Sequence, residues 1–556
     1  MSLTVRYLDT PEGAQKAAQI AGDAGQTFSS LPDVITGAQD IPYATLEPGA
    51  WALDGTRRLI PDNPNGIGWW SGETSGSDGK FDEPPEISIA FPEPYAATGI
   101  TFVFSPSTDQ WCSEIGVKWY NGETLIAGMT AYPDAAEWIL ERVVEGFDRI
   151  DIQLLATNKP GHFAKLQMIQ IGKVVVFGRN ELTQVRLTNE VDPSLCVLSV
   201  DTMRVEIRDR KGRAFAPQDN QRMELYQNGK LLAAHFIVDS SREAKYHYTF
   251  SCQSVIGLLG DEYLGGMFDA VPVDAYLRDV LDGRSYVLDD SFAGYLVTGY
   301  LPVCTRREAL QQLAFAMGAM VTTQGTDEIC LIPVPERISG TFGNSQIFQG
   351  AKAETQSRIF KVQISAHSYE KSSEVVTLMS NKEIFGDEQL VTFYEPHHEY
   401  SIEGGAISDS GVNWVRITAN GPVTLHAKTY IHNVTVASRN NPLATVAERN
   451  NVLAVDTATL VHSGNVQAVL ERMYNVKQLR KKLTQEAVIS GQKAGDRVTS
   501  ANPWGTQIQG FISSMESILT QNGHTANVEI VGVEMPVEPV YYRAGQLYSG
   551  DKEAMY

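Results

Sequence analysis

The chain has 556 residues, of which 43% are hydrophobic and 20% charged, as is ordinary for a folded protein of several domains. Its formal net charge is -21, and such an acidic surface repels phosphate backbones, which argues against sequence-independent nucleic-acid binding. No apolar run is long enough to span a membrane, and residues 1–6 lack the pattern of a signal peptide, so we expect neither a membrane span nor secretion.

The cysteine pattern argues against disulfides and zinc. The chain has 5 cysteines, an odd number, and no two are separated by only two residues. We expect them to be small buried side chains, and we predict no cofactor and no metal site. Their positions are Cys112, Cys196, Cys252, Cys304 and Cys330.

The first third of the chain contains short segments that alternate polar and apolar residues, as half-buried strands do. Asn121-Gly122 follows one of them and is typical of a hairpin turn. Many short strands separated by turn residues predict a β-sandwich over residues 1–172. The segments are residues 86–91, 99–104, 115–120, 149–154 and 166–171.

Residues 173–261 predict a second β unit. Residues 203–208 alternate clearly, Asn228-Gly229 marks a hairpin turn, and residues 231–238 and 246–251 continue the pattern.

Residues 262–340 change to a mixed α+β pattern. Residues 273–281 have helical spacing, and Thr305 with Glu308 forms a capping box that starts a second helix, which Gly318 ends. A strand pair is predicted at residues 321–323 and 329–332.

The last two predicted units are residues 341–450, which are rich in alternating segments, and residues 451–556. The latter begin with a helix-period stretch, residues 463–483, in which Lys477, Arg480, Lys481 and Lys482 would suit the carboxyl end of a helix. Strands are predicted after it, around the turns Gly495-Asp496 and Trp504-Gly505.

The N-terminal unit resembles the galactose-binding-like, discoidin-type jelly-roll modules. The resemblance depends on residues 46–55, Trp69-Trp70-Ser71 and the strand at 87–91. Such a sandwich binds glycans or serves as a plain adaptor. Trp69, Trp70 and Trp111 lie beside turns and are the candidate residues for stacking on sugar rings, with burial in the core as the alternative.

Residues from about 180 onwards resemble the tail hub, or baseplate hub, family of tailed phages. Residues 187–259 match its first β-barrel, the helices at 272–281 and 305–317 match its mixed domain, and residues 463–532 match its second barrel. The expected fold is therefore mainly β with α+β insertions: an N-terminal jelly roll followed by a two-barrel hub.

The hub resemblance implies a structural role in the virion, at the tail tip, with assembly in the host cytoplasm. It implies a homotrimer whose barrels form a ring around the channel, through which DNA passes without specific binding. Expected partners are the tail tube, distal tail proteins, the tape measure, tip or fibre proteins, and a host surface glycan.

Two clusters contain residue types that bind metals, but neither is expected to be a metal site. The acidic turn at residues 75–83 does not have the spacing of a calcium loop, and adjacent His397 and His398 on a strand would point to opposite faces.

Hydrolase and nucleotide-binding motifs are lacking, so we predict no enzymatic activity. The alternatives are a glycan-degrading enzyme with an attached carbohydrate-binding module, and a free adhesin.

Overall fold

The computed structural model describes residues 2–9, 14–38, 40–51, 54, 57–60, 67–209 and 220–535. Parts of the predicted turn at 46–55 (residues 52, 53, 55) and of the predicted unit 451–556 (residues 536–556) lie outside the described residues. The fold is mainly β, as predicted. The described chain forms two compact units, the first comprising residues up to 185, 202–254 and 325–327, and the second the remainder. None of the described helices has the length and apolarity to cross a membrane.

The helices are short. Two are single turns, Ala14–Ala17 (α1) and Asp33–Thr36 (α2), and the longer ones are Val273–Leu281 (α3), Arg306–Met317 (α4) and Val466–Val476 (α5).

Strands β1–β15 precede α3. They are Leu3–Leu8 (β1), Gln19–Gly22 (β2), Trp69–Thr74 (β3), Glu86–Val103 (β4), Cys112–Asn121 (β5), Thr124–Ala131 (β6), Glu137–Thr157 (β7), Phe163–Leu166 (β8), Met168–Ile171 (β9), Val174–Phe177 (β10), Leu182–Glu190 (β11), Thr202–Arg208 (β12), Arg222–Gln227 (β13), Lys230–Ala244 (β14) and His247–Gln253 (β15).

The later strands all lie in the second unit, and the first two of them precede α3. They are Glu262–Tyr263 (β16), Gly266–Pro272 (β17), Tyr286–Leu288 (β18), Leu296–Leu301 (β19), Cys304–Thr305 (β20), Ala319–Thr322 (β21), Ile329–Pro333 (β22), Gly340–Phe342 (β23), Lys352–Thr355 (β24), Lys361–Thr392 (β25), His397–Glu403 (β26), Ala406–Ser410 (β27), Trp414–Asn440 (β28), Val452–Val455 (β29), Lys481–Val488 (β30), Arg497–Ala501 (β31), Gln507–Leu519 (β32) and His524–Met535 (β33).

The sandwich has one large sheet with strand order β2-β4-β7-β5-β6, in which β9 also pairs with β4, and a small sheet β3-β8. Its core is filled by the inward residues of the alternating strands, for example Ile87, Ile152 and Val117. The segments 86–91 and 99–104, predicted as separate strands, belong to one continuous strand, β4. Register shifts between Ala90 and Gly99 let it remain paired with β7 while it bends.

The first strand pairs outside the sandwich. Val5 of β1 lies opposite Phe177 of β10 on one side and Leu225 of β13 on the other. The predicted sandwich range 1–172 included this strand. It instead joins the following β module, with strand order β10-β1-β13-β14-β15-β12, because its apolar face is buried there and Tyr7 packs 5.9 Å from the ring of Phe250.

In the second unit, α3 begins and ends at the predicted residues, and the capping box of α4 is present. The strands β32, β33 and β30 pair in that order, and β31 pairs with β32. Along the chain, a long antiparallel ribbon of β25 and β28 comes between α4 and β30, and β26, β27 and β29 pair with it.

One predicted helix is shorter than expected. The stretch 463–483 was predicted as a single helix, but α5 ends at Val476, and from Lys481 the chain is strand β30. Pairing with β33 wins because Leu483 and Ala487 then fall on the buried face. Lys481 and Lys482 therefore form ion pairs with carboxylates of β33 rather than occupying a helix end.

Candidate ligand and assembly sites

Two of the three candidate tryptophans are core residues. Trp69 is 1% exposed, and its indole N–H donates to the carbonyl of Asp23 at 3.1 Å. Trp70 is 2% exposed, with the ring of Phe28 edge-on at 5.4 Å. Residues 69–71 at the start of β3 are buried, so the prediction that these two rings could stack on a sugar is wrong.

Trp111 is partly buried and packs against the sandwich core. Its indole N–H donates to the carbonyl of Pro133 at 3.0 Å, and its backbone N–H donates to the side chain of Asn158 at 3.0 Å. These bonds fix the ring at the rim of the core. Its role in ligand binding remains a prediction.

A buried ion pair that the sequence interpretation missed lies beside Trp70. Lys165 Nζ is 2.8 Å from Glu47 Oε2, and the two side chains are almost completely buried. The ammonium also donates to Gln110 Oε1 at 2.6 Å and lies 4.3 Å from the centroid of the Trp70 ring. Burial lowers the pKa of Lys165, while the charge of Glu47 opposes that shift. The sequence could not predict this ion pair, because its two residues are 118 positions apart and neither belongs to a local motif.

Glu47 fixes the turn that follows Tyr43. Its carboxylate accepts from Thr45 Oγ1 at 2.6 Å and from the backbone N–H of Phe163 at 3.0 Å. The neighbouring Leu46 and Trp51 are 97% and 55% exposed. Trp51 therefore has the largest exposed fraction among the tryptophans of this module, although the sequence did not single it out as a candidate.

Neither cluster considered for metal binding gathers ligands. The Asp78 carboxylate accepts from the backbone N–H of Lys80 at 3.0 Å, which closes its own turn. His397 packs edge-on against Phe393, whereas His398 packs against Tyr430, so the adjacent imidazoles lie apart as predicted for a strand. Burial lowers the pKa of His397. Within the described ranges, no three His, Cys, Asp or Glu side chains are arranged to hold a metal ion.

The ribbon has an open edge. One edge of residues 430–440 pairs with β25, whereas β26 and β27 pair only with residues up to 429, so in the described chain no strand lies along the other edge. Residues 431–436 are all exposed and include no Lys or Pro, the residues that usually protect an edge. The stretch has three exposed large apolar side chains, Ile431, Val434 and Val436.

No protein-family model matches the chain, and no curated protein matches it. Among solved structures, the 43 kDa tail protein of prophage MuSo2 from Shewanella oneidensis is similar over 64% of this chain and 96% of its own, at 11% identity and a TM-score of 0.39. A tail protein from Neisseria meningitidis is similar over 64% of this chain and 93% of its own, at 11% identity and a TM-score of 0.40. The family 32 CBM from C. perfringens NanJ, solved with galactose, is similar over 31% of this chain and 99% of its own, at 12% identity and a TM-score of 0.19.

Proposed function

We propose that this protein is a structural hub of a phage tail tip, with an N-terminal sandwich that binds a host surface glycan or docks a neighbouring tail protein. One observation carries the proposal: the order of modules along the chain. A β module ending in β15, a mixed part with α3 and α4, and a final β module after α5 follow one another as the hub resemblance places them.

In this proposal the protein works by assembly geometry. Three copies would form a ring in which each supplies two β modules, so that a threefold ring could meet a sixfold tail tube. Distal tail proteins, the tape measure, and tip or fibre proteins would contact it within the virion. The net charge of -21 suits a channel wall, because like charge keeps passing DNA from adhering.

The open edge of residues 431–436 is our candidate for one contact between copies. An unprotected edge offers its backbone N–H and C=O groups to another strand, and exposed β-branched side chains favour such pairing. A second copy of this chain would satisfy those groups and cover Val434 and Val436.

Light scattering tests this contact. We expect the wild-type protein to be a trimer and the double variant Val434→Lys/Val436→Lys to dissociate at the same concentration, because two ammonium groups would have to be buried. Val375→Lys is the matched control, since Val375 is also exposed on the ribbon but lies on β25.

The outcomes separate two errors. If the double variant Val434→Lys/Val436→Lys is still a trimer, the contact between copies lies elsewhere, and the proposed ring is not contradicted. A wild-type monomer at every concentration, including in the presence of tail tube protein, would contradict the hub.

A further inference from the structure

The large sheet of the sandwich has a polar outer face with a groove of about 540 Å³. The strand registers explain it: Glu86 lies opposite Gln153, and Ser88 opposite Asp151, while the residues between them point into the core. On β5, Gly116 lies opposite Gln153 and Lys118 opposite Asp151. The volume is within the range of small-molecule sites, about 300–1,000 Å³.

The polar groups of the groove are held in place by one another. Ser88 Oγ donates to Asp151 Oδ1 at 2.7 Å, and the Gln153 amide donates to the Glu86 carboxylate. The Arg149 guanidinium lies 4.3 Å from the centroid of the Tyr120 ring, with its Nε 3.4 Å from Asp151 Oδ1. A ligand would therefore meet groups that are already oriented, which lowers the entropy cost of binding.

Depth comes from a missing side chain at the centre. A Cβ at Gly116 would make ordinary van der Waals contacts with the side chains of Gln153, 3.6 Å from its Oε1, and Leu155, so a side chain would fit there, but glycine leaves the position without one. Ala21 and Gly22 also line the groove, and their small size leaves space on that side.

The mixture of charges indicates the class of ligand. Lys118 and Arg149 bring positive charge, whereas Asp23, Glu86 and Asp151 bring negative charge, so a strongly charged ligand of either sign would face like charge. A sugar hydroxyl both donates and accepts, and it can use both kinds of group. We propose that this groove binds a neutral glycan, which deepens the glycan role of the sandwich proposed above and rests on it.

The test is calorimetric titration of the full chain with two neutral probes, galactotetraose and chitotetraose, and one anionic probe, sialyllactose. The blocking variant is Gly116→Leu, which adds a side chain to the groove floor and whose Cβ would have only side-chain atoms of Gln153 and Leu155 as its nearest neighbours. The control is Gly72→Leu, at an exposed glycine of β3 with no heavy atom within 4 Å of its Cβ position. Lys118→Ala removes an exposed donor from the groove and serves as a second variant if Gly116→Leu does not fold.

We expect a neutral probe to bind the wild type at least tenfold more tightly than the anionic one. Gly116→Leu should weaken that binding at least tenfold and Lys118→Ala several-fold, with Gly72→Leu unchanged. If glycan binding survives both groove variants, the groove is not the binding site, although the glycan role of the sandwich stands. A preference for the anionic probe would overturn the proposal that the ligand is a neutral glycan. If the wild type binds no probe, both the groove and the glycan role are overturned. The hub role is unaffected by that result, because light scattering tests it separately.

Discussion

The buried pair Lys165–Glu47 offers a direct test of the energetics of the sandwich. In Lys165→Met the carboxylate of Glu47 keeps its bonds from Thr45 Oγ1 and the Phe163 backbone, but it loses the ammonium 2.8 Å away. Removing one partner of a buried pair costs about 3–5 kcal/mol, because the remaining charge is buried without compensation. We expect Lys165→Met to lower the free energy of unfolding of the sandwich by that amount.

The double variant Glu47→Gln/Lys165→Met should recover most of that loss and lie within about 2 kcal/mol of the wild type, since no buried charge remains. Urea unfolding followed by tryptophan fluorescence is the assay, because 6 of the 8 tryptophans lie within residues 1–172. Lys80→Met, at an exposed lysine, is the control and should change stability by less than about 0.5 kcal/mol. A single variant within about 1 kcal/mol of the wild type, or a double variant as unstable as the single, would refute the reasoning.

Three further changes concern the second unit, and urea unfolding measures each. Burial raises the pKa of Asp201 to about 6, so its folded state holds the proton more tightly than the unfolded state. Stability should therefore fall by up to about 3 kcal/mol as the pH rises from about 4 to about 6, and Asp201→Asn should remove that decline; an unchanged pH profile would contradict this. Thr305→Ala removes the hydroxyl that accepts from the Glu308 N–H and should cost about 1 kcal/mol, whereas Thr305→Ser should cost much less. Gly318→Ala should cost about 1–2 kcal/mol, because φ is +84° and the new Cβ would lie 2.7 Å from Arg472 Nη1; a neutral result would contradict the backbone-strain argument, since movement of the arginine relieves only the contact.

Features that depend on neighbouring residues were predictable from the sequence. The helix at 273–281 is confirmed to the residue, and the capping box of Thr305 and Glu308 has both of its bonds. Asn228 and Gly229 both have positive φ, as their hairpin turn requires. In each case the groups that decide the conformation are within a few positions, so local spacing contains the information.

Features that depend on distant strands were decided only in three dimensions. Trp69 and Trp70 stand beside turn residues in the sequence, but β8 pairs with their strand and buries them. Basic residues after Val476 suit the end of a helix, yet the partner strand β33, about 50 positions later, makes that segment a strand. The sequence by itself determined the mainly β class and the local turns and caps. The tertiary structure decided which side chains are exposed, because exposure depends on pairing partners that no local pattern specifies.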